Sequence, residues 1–542
     1  MADRDNLPWL RFYEEGVPHT LAYPDLTMPQ LLEKVAADLP DRPAIIFAGV
    51  QIPYRALVGM VHQFATALAN LGVKKGDRVA LMSPNCPQYV IAYMAVQKIG
   101  AVVVQVNPMY VERELEYLLK DSGAEVMVAY DALYPRIKGV RGVTPLRHVI
   151  IFSLGQPAGT ADGDALQAEK LLATTPPNPP AVEINLDEDL AVLQYTGGST
   201  GVSKGAMLTH RNIVANVVQT AAWFTGCTYG QERVLAVIPF FHVYGMTVAM
   251  NFAVYIAATQ IILPRFEINQ VLEAINNHRP TLFPGVPTMY VAINNHPEIG
   301  KYDVRSINYC ISGSAPLPVD VQEKFEKLTG GFLVEGYGIS ETSPVTHCNP
   351  LKGKRKVGSI GLPFPDTLCK IVDLETGERE LPVGEAGELC VKGPQVMKGY
   401  WNMPEETAYA LRDGWVYTGD VARMDEEGYF YIVDRKKDMI IAGGFNIYPR
   451  EIEEVLFEHP KVLEAVVAGV PDRYRGETVK AYVVLNQGQT ATEEELLAYC
   501  RSKLAAFKVP RLIEFRDSLP KTVVGKVLRR YLREEEAAKL KG

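Results

Sequence analysis

The chain holds seven cysteines in 542 residues, and no two of them form a C-x-x-C pair. Scattered as Cys86, Cys227, Cys310, Cys348, Cys369, Cys390 and Cys500, they make neither a disulfide framework nor a zinc site, and they suit a reducing compartment. An excess of positive charge is missing too. Fifty-five Lys and Arg against 63 Asp and Glu leave a net charge of −8. That argues against nucleic acid as a general partner, because neutralising phosphates takes a basic face. The N-terminal MADRDNLPWLRFYEEG lacks an apolar h-region, so no signal peptide is expected. One apolar run, MTVAMNFAVYIAATQIIL from Met246 to Leu263, is long enough for a membrane span, but Asn251, Thr259 and Gln260 interrupt it and no basic flank anchors it. A buried helix followed by a strand is expected there instead. Internal repeats and low-complexity tracts are absent. A soluble, cytoplasmic protein is the expectation.

What is present is ordinary globular composition, 47% hydrophobic and 22% charged, in a chain too long for one core. Short apolar runs alternate with helical patterns in the first half: a strand over Arg78–Met82, a helix over Pro87–Lys98, and strands over Ala101–Val106 and Glu125–Tyr130. That is βαβ patterning. A proline-rich connection, ATTPPNPPAVEINLDED, follows from Ala173 to Asp189, then a strand near Leu190–Leu193. A seam falls near Asp434. Beyond it a helix starts near Pro449, with Ile452, Val455 and Leu456 on one face. Strands over Val462–Val470 and Val479–Leu485, a helix over Glu493–Ala506 and a strand over Leu512–Phe515 complete a small module. The expected fold is α/β, with a large N-terminal domain (1–433) of stacked αβ sheets and a small, mobile α+β C-terminal domain (434–542).

After the strand near Leu190 comes YTGGSTGVSKGA, residues 195–206. It is too rich in glycine for a helix and too polar for a buried strand. Glycines let the backbone approach a ligand, and hydroxyls, amides and an ammonium donate to an anion. Polyphosphate is the natural guess, yet a Walker A loop needs G-x-x-x-x-G-K-[ST], and Lys204 is preceded by Ser203 and followed by Gly205.

This loop, with VEGYGISE (334–341), DGWVYTGD (413–420), DRKKDMIIAGGFNIYPREIE (434–453) and LPKTVVGKVLRR (519–530), resembles the adenylate-forming superfamily of acyl-CoA synthetases, luciferases and peptide-synthetase adenylation domains. Within it, PFFHVYGM, TLFPGVPT, GSAPLP, GELCVKGPQVMKGYW and AFKVPRLIEFRDSLPK are most similar to bacterial long-chain fatty-acid–CoA ligases. The resemblance covers essentially the whole chain, and five motifs in order are far more specific than any one. It implies two half-reactions: a carboxylate attacks the α-phosphate of ATP to give acyl-adenylate and pyrophosphate, and CoA thiolate then displaces AMP. ATP, Mg²⁺ and CoA are the implied cofactor and co-substrates, and a fatty acid the implied substrate. Two readings inside the superfamily stay open, an aryl- or medium-chain acyl-CoA ligase and a carrier-loading adenylating enzyme. One outside catalysis is a nucleotide-sensing or scaffold protein. Carrier loading is the less expected of the two, since no Ser-centred carrier segment is expected beyond residue 542. Acyl chain length, a homodimer, and peripheral association at the inner membrane surface are not legible.

Carried onto this sequence, the resemblance implies a phosphate cradle of Tyr195, Thr196, Gly197, Gly198, Ser199, Thr200, Gly201 and Lys204. Ser203 stands where the family often has proline, which is expected to loosen the loop. Thr196 and Glu341 would contact magnesium, a hard cation that takes oxygen ligands and bridges phosphates; a lone Glu is otherwise a solvated carboxylate. Tyr337, between Gly336 and Gly338, would face adenine, with Gly313, Ser314 and Ala315 on its other side; a core tyrosine is the plain alternative. Asp420 would accept from the ribose hydroxyls, and Arg435 would reach phosphate or ribose. His242, Tyr244, Gly285 and Gly313 would wall the acyl pocket, although a histidine among aromatics is as often a core residue. Gly443, Gly444 and Phe445 would border the pantetheine tunnel, and Asp434 would be the hinge. Lys526 would be the catalytic lysine at the α-phosphate. On charge alone it is one more member of a basic patch with Lys521, Arg529 and Arg530.

Overall fold

The computed structural model describes residues 7–155, 164–196, 203–442, 445–472, 476–522 and 527–539. The chain forms two compact units: Met1–Leu368 with Val391–Val416, and Cys369–Cys390 with Tyr417–Gly542. It therefore passes between them three times, at 368/369, 390/391 and 416/417.

The large unit is built on mixed sheets. One has eight strands in the order Gly399–Tyr400, Lys204–Thr209, Leu190–Thr196, Val102–Gln105, Arg78–Met82, Val126–Tyr130, His148–Phe152, Leu166–Gln167. From Leu190–Thr196 onward every pairing is parallel, and the two at the other end are antiparallel. Its central strands read VVVQ and RVALM because a parallel sheet covered on both faces needs apolar residues at every position. The helix Pro87–Lys98 opens with proline at its first position and buries Pro87 and every residue from Tyr89 to Gln97. The helix His210–Trp223 begins directly after the strand Lys204–Thr209. Thr209 Oγ1 accepts from Asn212 N at 3.2 Å and Asn212 Oδ1 accepts from Thr209 N at 2.9 Å, a reciprocal cap that ends the strand and starts the helix.

A second sheet system runs Arg233–Ala236, Thr259–Ile262, Pro43–Phe47, Val50–Pro53. Parallel bridges from Val234 to Leu282 and from Leu282 to Tyr309 lead on to Tyr309–Ser312 and Phe332–Gly338, then antiparallel Val345–Cys348 and Leu362–Pro363. The run Met246–Leu263 resolves into a π-helical turn Gly245–Asn251, a short helix Phe252–Tyr255 and the strand Thr259–Ile262, nearly all of it buried. No described helix is long and apolar enough to cross a membrane.

In the small unit, Phe445–Ile447, Ile440–Ala442, Gly476–Leu485 and Val462–Asp472 form a sheet, with Leu512–Phe515 parallel to Gly476–Leu485. Ile452 and Leu456 of the helix Pro449–Phe457 are buried in its core beside Val467, Val479 and Ala481, and Val455 packs on the same cluster. The expected helix over 493–506 stops at Lys503; residues 505–508 make a turn instead, ahead of Pro510.

Candidate active site

The glycine loop starts at the carboxyl end of a parallel strand, the usual place for a ligand in an open α/β sheet. Thr196 pairs with Lys204 across an antiparallel ladder, so the strands Leu190–Thr196 and Lys204–Thr209 are the two arms of a β-hairpin. Gly197, Gly198, Ser199, Thr200 and Gly201 lie outside the described residues. The hairpin's mouth is held firmly. Ser203 Oγ donates to Thr196 O at 2.7 Å, and Tyr117 Oη donates to Ser203 O at 3.0 Å. The serine at the family's proline position thus fastens the mouth through its own hydroxyl. Tyr195 turns its side chain inward: Oη donates to Asp121 Oδ2 at 2.5 Å, and burial together with that carboxylate raises the phenol pKa.

The strand Gly399–Tyr400 runs beside the hairpin, pairing Tyr400 with Ala206, and Trp401 N donates to Gly205 O at 2.8 Å. This places two side chains, Glu406 and Tyr400, against Lys204. Its ammonium is buried, pairs with Glu406 of the helix Pro404–Ala410, and stands 5.3 Å from the centre of the Tyr400 ring. Tyr400 Oη in turn donates to Glu341 Oε1 at 2.7 Å, and burial plus the Glu341 charge raises its pKa. Met397 N donates to Glu341 O at 2.8 Å, fixing the backbone there as well. Lys204 from one sheet and Glu341 from the other are therefore joined through one tyrosine.

Glu341 follows Phe332–Gly338, at whose end Gly336, Tyr337 and Gly338 lie. A Cβ on Gly338 would sit 2.0 Å from Pro344 O, so only glycine fits. Tyr337 is half-buried with His347 edge-on at 5.8 Å. The neighbouring parallel strand Tyr309–Ser312 ends in Gly313, Ser314 and Ala315; Gly313 is buried and Ser314 is exposed, with a left-handed φ of 68°. Gly285 bridges Ser312. Tyr244 stitches these ends together, its hydroxyl donating to Ile311 O at 2.7 Å while its ring faces Gly313. Two residues back, His242 Nδ1 accepts from Tyr244 N at 3.2 Å. Asn85 secures the approach to this segment by accepting from Phe240 N at 2.7 Å and donating to Ile238 O at 2.8 Å. The π-helical turn that follows is rare backbone, and such turns concentrate at functional sites.

In the small unit, Asp420 and Arg435 face each other across the strands Trp415–Met424 and Phe430–Arg435, with Arg435 Nε 3.2 Å from Asp420 Oδ1. Asp434 is buried. It accepts from Arg435 N at 2.7 Å and Arg450 N at 2.8 Å; burial pushes its carboxyl up to about 6, against the pull of the Arg529 guanidinium. Arg529 itself is clasped by Glu453 at 2.6 and 2.7 Å. Phe445 pairs with Ala442 through the backbone. Gly443, Gly444 and Lys526 lie outside the described residues, Lys526 in the span between Lys521 and Val527, which bridge antiparallel.

Residues 32–401 match the family model described as AMP-binding enzyme, and residues 451–526 match the AMP-binding enzyme C-terminal domain. The chain belongs to the AMP-binding enzyme family. It is 51% identical, over 98% of both chains, to a long-chain-fatty-acid–CoA ligase of Bacillus subtilis (strain 168). It is 40% identical, over 98% of this chain and 99% of the other, to the ligase of that name from Escherichia coli O6:H1. Among solved structures, ATP-bound MatB from Rhodopseudomonas palustris superposes with a TM-score of 0.85 at 33% identity, over 94% of this chain and 99% of that one.

For an AMP-binding enzyme the oxygens at the hairpin mouth suit a magnesium ion carried in with nucleotide. No described cluster of three or more His, Cys, Asp or Glu exists to cage an ion. Glu341 is a half-buried carboxylate whose Oε1 accepts from Tyr400, and it and the Thr196 hydroxyl would be the oxygens for the ion; Mg²⁺ commonly takes one or two protein oxygens and fills its shell with water and phosphate. Sequence reasoning missed Tyr400, Glu406, Tyr117 and Asp121. Tyr400 lay inside the MKGYW segment that carried the resemblance. Nothing in the sequence points from Glu406 to Lys204, which is 202 residues away.

Proposed function

We propose that this AMP-binding enzyme is a long-chain fatty-acid–CoA ligase that forms acyl-CoA through an acyl-adenylate, releasing pyrophosphate and AMP. The observation that carries the reading is the Lys204–Tyr400–Glu341 chain: an ammonium and a carboxylate, drawn from two sheets, converge beside a glycine hairpin that opens from the carboxyl end of a strand. Such a site holds polyphosphate and a divalent ion together. The substrate class follows from the Bacillus relative, aligned over nearly the full length of both chains.

In this reading the hairpin holds the β- and γ-phosphates, which leave as pyrophosphate, and Thr196 and Glu341 would hold a Mg²⁺ ion that would supply neutralising charge there. Tyr337 lies against adenine and Asp420 accepts from the ribose. The fatty acid needs no general base, since a carboxylic acid is ionised at neutral pH. His242 and Tyr244 flank its carboxylate end, and the buried turn Gly245–Asn251 supplies apolar wall beyond. Lys526 bridges carboxylate and α-phosphate as negative charge builds in the transition state. In this reading the part of the small unit beyond Asp434 rotates there, so that Gly443, Gly444 and Phe445 border the thiol's approach in the second half-reaction. Peripheral contact with a membrane that supplies the fatty acid is part of this reading, and so is a cytoplasmic location.

The test is an end-point mass-spectrometric assay with ATP, Mg²⁺, CoA and acids from acetate through octanoate and palmitate to coumarate. Acyl-CoA and AMP from palmitate are expected. Product from coumarate alone, or acyl-adenylate accumulating without thioester, would replace the assignment by aryl activation or carrier loading.

A further inference from the structure

Lys204 has two claims on it. It lies at the base of the glycine hairpin and is only 8% exposed, where an ammonium is costly without an anion beside it. The structure supplies that anion from inside the chain: Glu406, in the first turn of the helix Pro404–Ala410. The two are unequally buried. The Lys204 side chain is 11% exposed and that of Glu406 is 39% exposed, so the carboxylate can turn to water at little cost while the ammonium cannot. The Tyr400 ring covers one side of the ammonium at 5.3 Å, and its hydroxyl is committed to Glu341, which leaves the ring little freedom to follow Lys204 if it moves.

We infer that Glu406 is a positioning residue that competes with the terminal phosphates of ATP for Lys204, serving as an internal stand-in for them. The inference rests on the proposed role of Lys204 in the phosphate cradle. One carboxylate and one phosphate oxygen cannot both hold the same short contact, so nucleotide must displace Glu406. The apparent affinity is then lowered by the fraction of molecules in which the pair is closed. Release of pyrophosphate is helped by the same exchange, because Glu406 neutralises Lys204 as the phosphates leave. Nucleotides lacking those phosphates should not sense the contact at all.

Equilibrium binding of ATP, with Mg²⁺, and of AMP to the full-length wild type, E406Q, K204M and the double variant tests this, with Tm measured alongside. E406Q is expected to bind ATP 3- to 10-fold more tightly and AMP unchanged, with Tm lowered because Lys204 loses its partner. K204M is expected to weaken ATP about 10-fold, and adding E406Q to it should change nothing, since the two act through one contact. If K204M weakens ATP while E406Q weakens it or leaves it unchanged, the competition is wrong and Glu406 is a strut. If K204M leaves ATP affinity intact, the cradle role of Lys204 fails, and the competition with it. Equal effects of E406Q on ATP and AMP would also overturn it.

Discussion

Tyr244 and Gly313 are shaped to each other: a Cβ on Gly313 would stand 3.3 Å from the Tyr244 ring, whose hydroxyl is anchored 2.7 Å from Ile311 O. Ile311 O also accepts from Tyr290 Oη at 3.0 Å, so Y244F leaves that carbonyl satisfied and should cost only about 1 kcal/mol. G313V brings its Cβ to within 3.3 Å of the ring, tighter than ordinary contact, and should cost about 1–3 kcal/mol. Combined with Y244A, the valine gains space, and the pair should destabilise by less than the sum of the two single changes. Urea unfolding of the four proteins measures this; strict additivity would show that the two residues do not press on each other.

Two histidines in the large unit are held neutral by burial. His210 is pushed down to about 4, with neither ring nitrogen hydrogen-bonded among the described residues, and His347 to about 3. The unfolded chain takes up a proton near pH 6.5 that the folded one refuses, so it binds more protons below that pH. The stability at stake is therefore present above 6.5 and is lost as pH falls toward 4. The loss is about 2 kcal/mol for each histidine at pH 5. Melting curves from pH 7.5 to 5 should show the large unit's transition falling, and less steeply in H347Q. Asp434, raised to about 6, acts with the opposite sign on the small unit: its cost appears as pH rises from about 4 to 6. An H347Q profile parallel to the wild type would show that His347 is protonated in the fold.

Much of the frame was legible because one face or both of each element had to be apolar. The strand read as Arg78–Met82 and the helix read as Pro87–Lys98 are found with those bounds, and Ile452, Val455 and Leu456 do line the small unit's core. The bound that slipped, the helix ending at Lys503, lies where Leu504, Ala505 and Ala506 still read as helix although the chain turns ahead of Pro510. Candidate site residues could be named wherever a motif kept them contiguous. Partners brought in by topology were invisible: Tyr400 reaches Glu341 across 59 residues, and only because the strand Gly399–Tyr400 adds to the edge of the hairpin. Asp121, which receives the Tyr195 hydroxyl, sits in a helix whose pattern reads as an ordinary solvated face.

Asp420 is buried and is paired across the ladder with Arg435. If it accepts from the ribose, its loss should weaken ATP and AMP alike, since both carry that sugar. D420A is expected to raise the Kd of each nucleotide about 10- to 100-fold, in the range of a lost charge-assisted bidentate contact. This sets it apart from E406Q, whose effect belongs to ATP alone. Weakening of ATP without AMP would move Asp420 from the ribose to the phosphates.

Lys526 stands in the motif VVGKVLRR near the chain's end. The adenylation step puts growing negative charge on the α-phosphate oxygens, and a cation placed there helps the transition state more than the ground state. K526A should therefore lower the rate of acyl-adenylate formation by about 10²–10³, as removing a single preorganised donor does elsewhere. ATP affinity and Tm should stay near wild type. In the second half-reaction the charge grows on the departing phosphate oxygen of AMP, and the rotation proposed at Asp434 has by then taken Lys526 away from it. CoA attacks an adenylate already made, so K526A given synthetic acyl-adenylate and CoA should form thioester at close to the normal rate. Single-turnover measurement of each half-reaction separates the cases. Equal loss in both steps would make Lys526 a structural residue of the C-terminal domain, and retained adenylation would remove it from the reaction altogether.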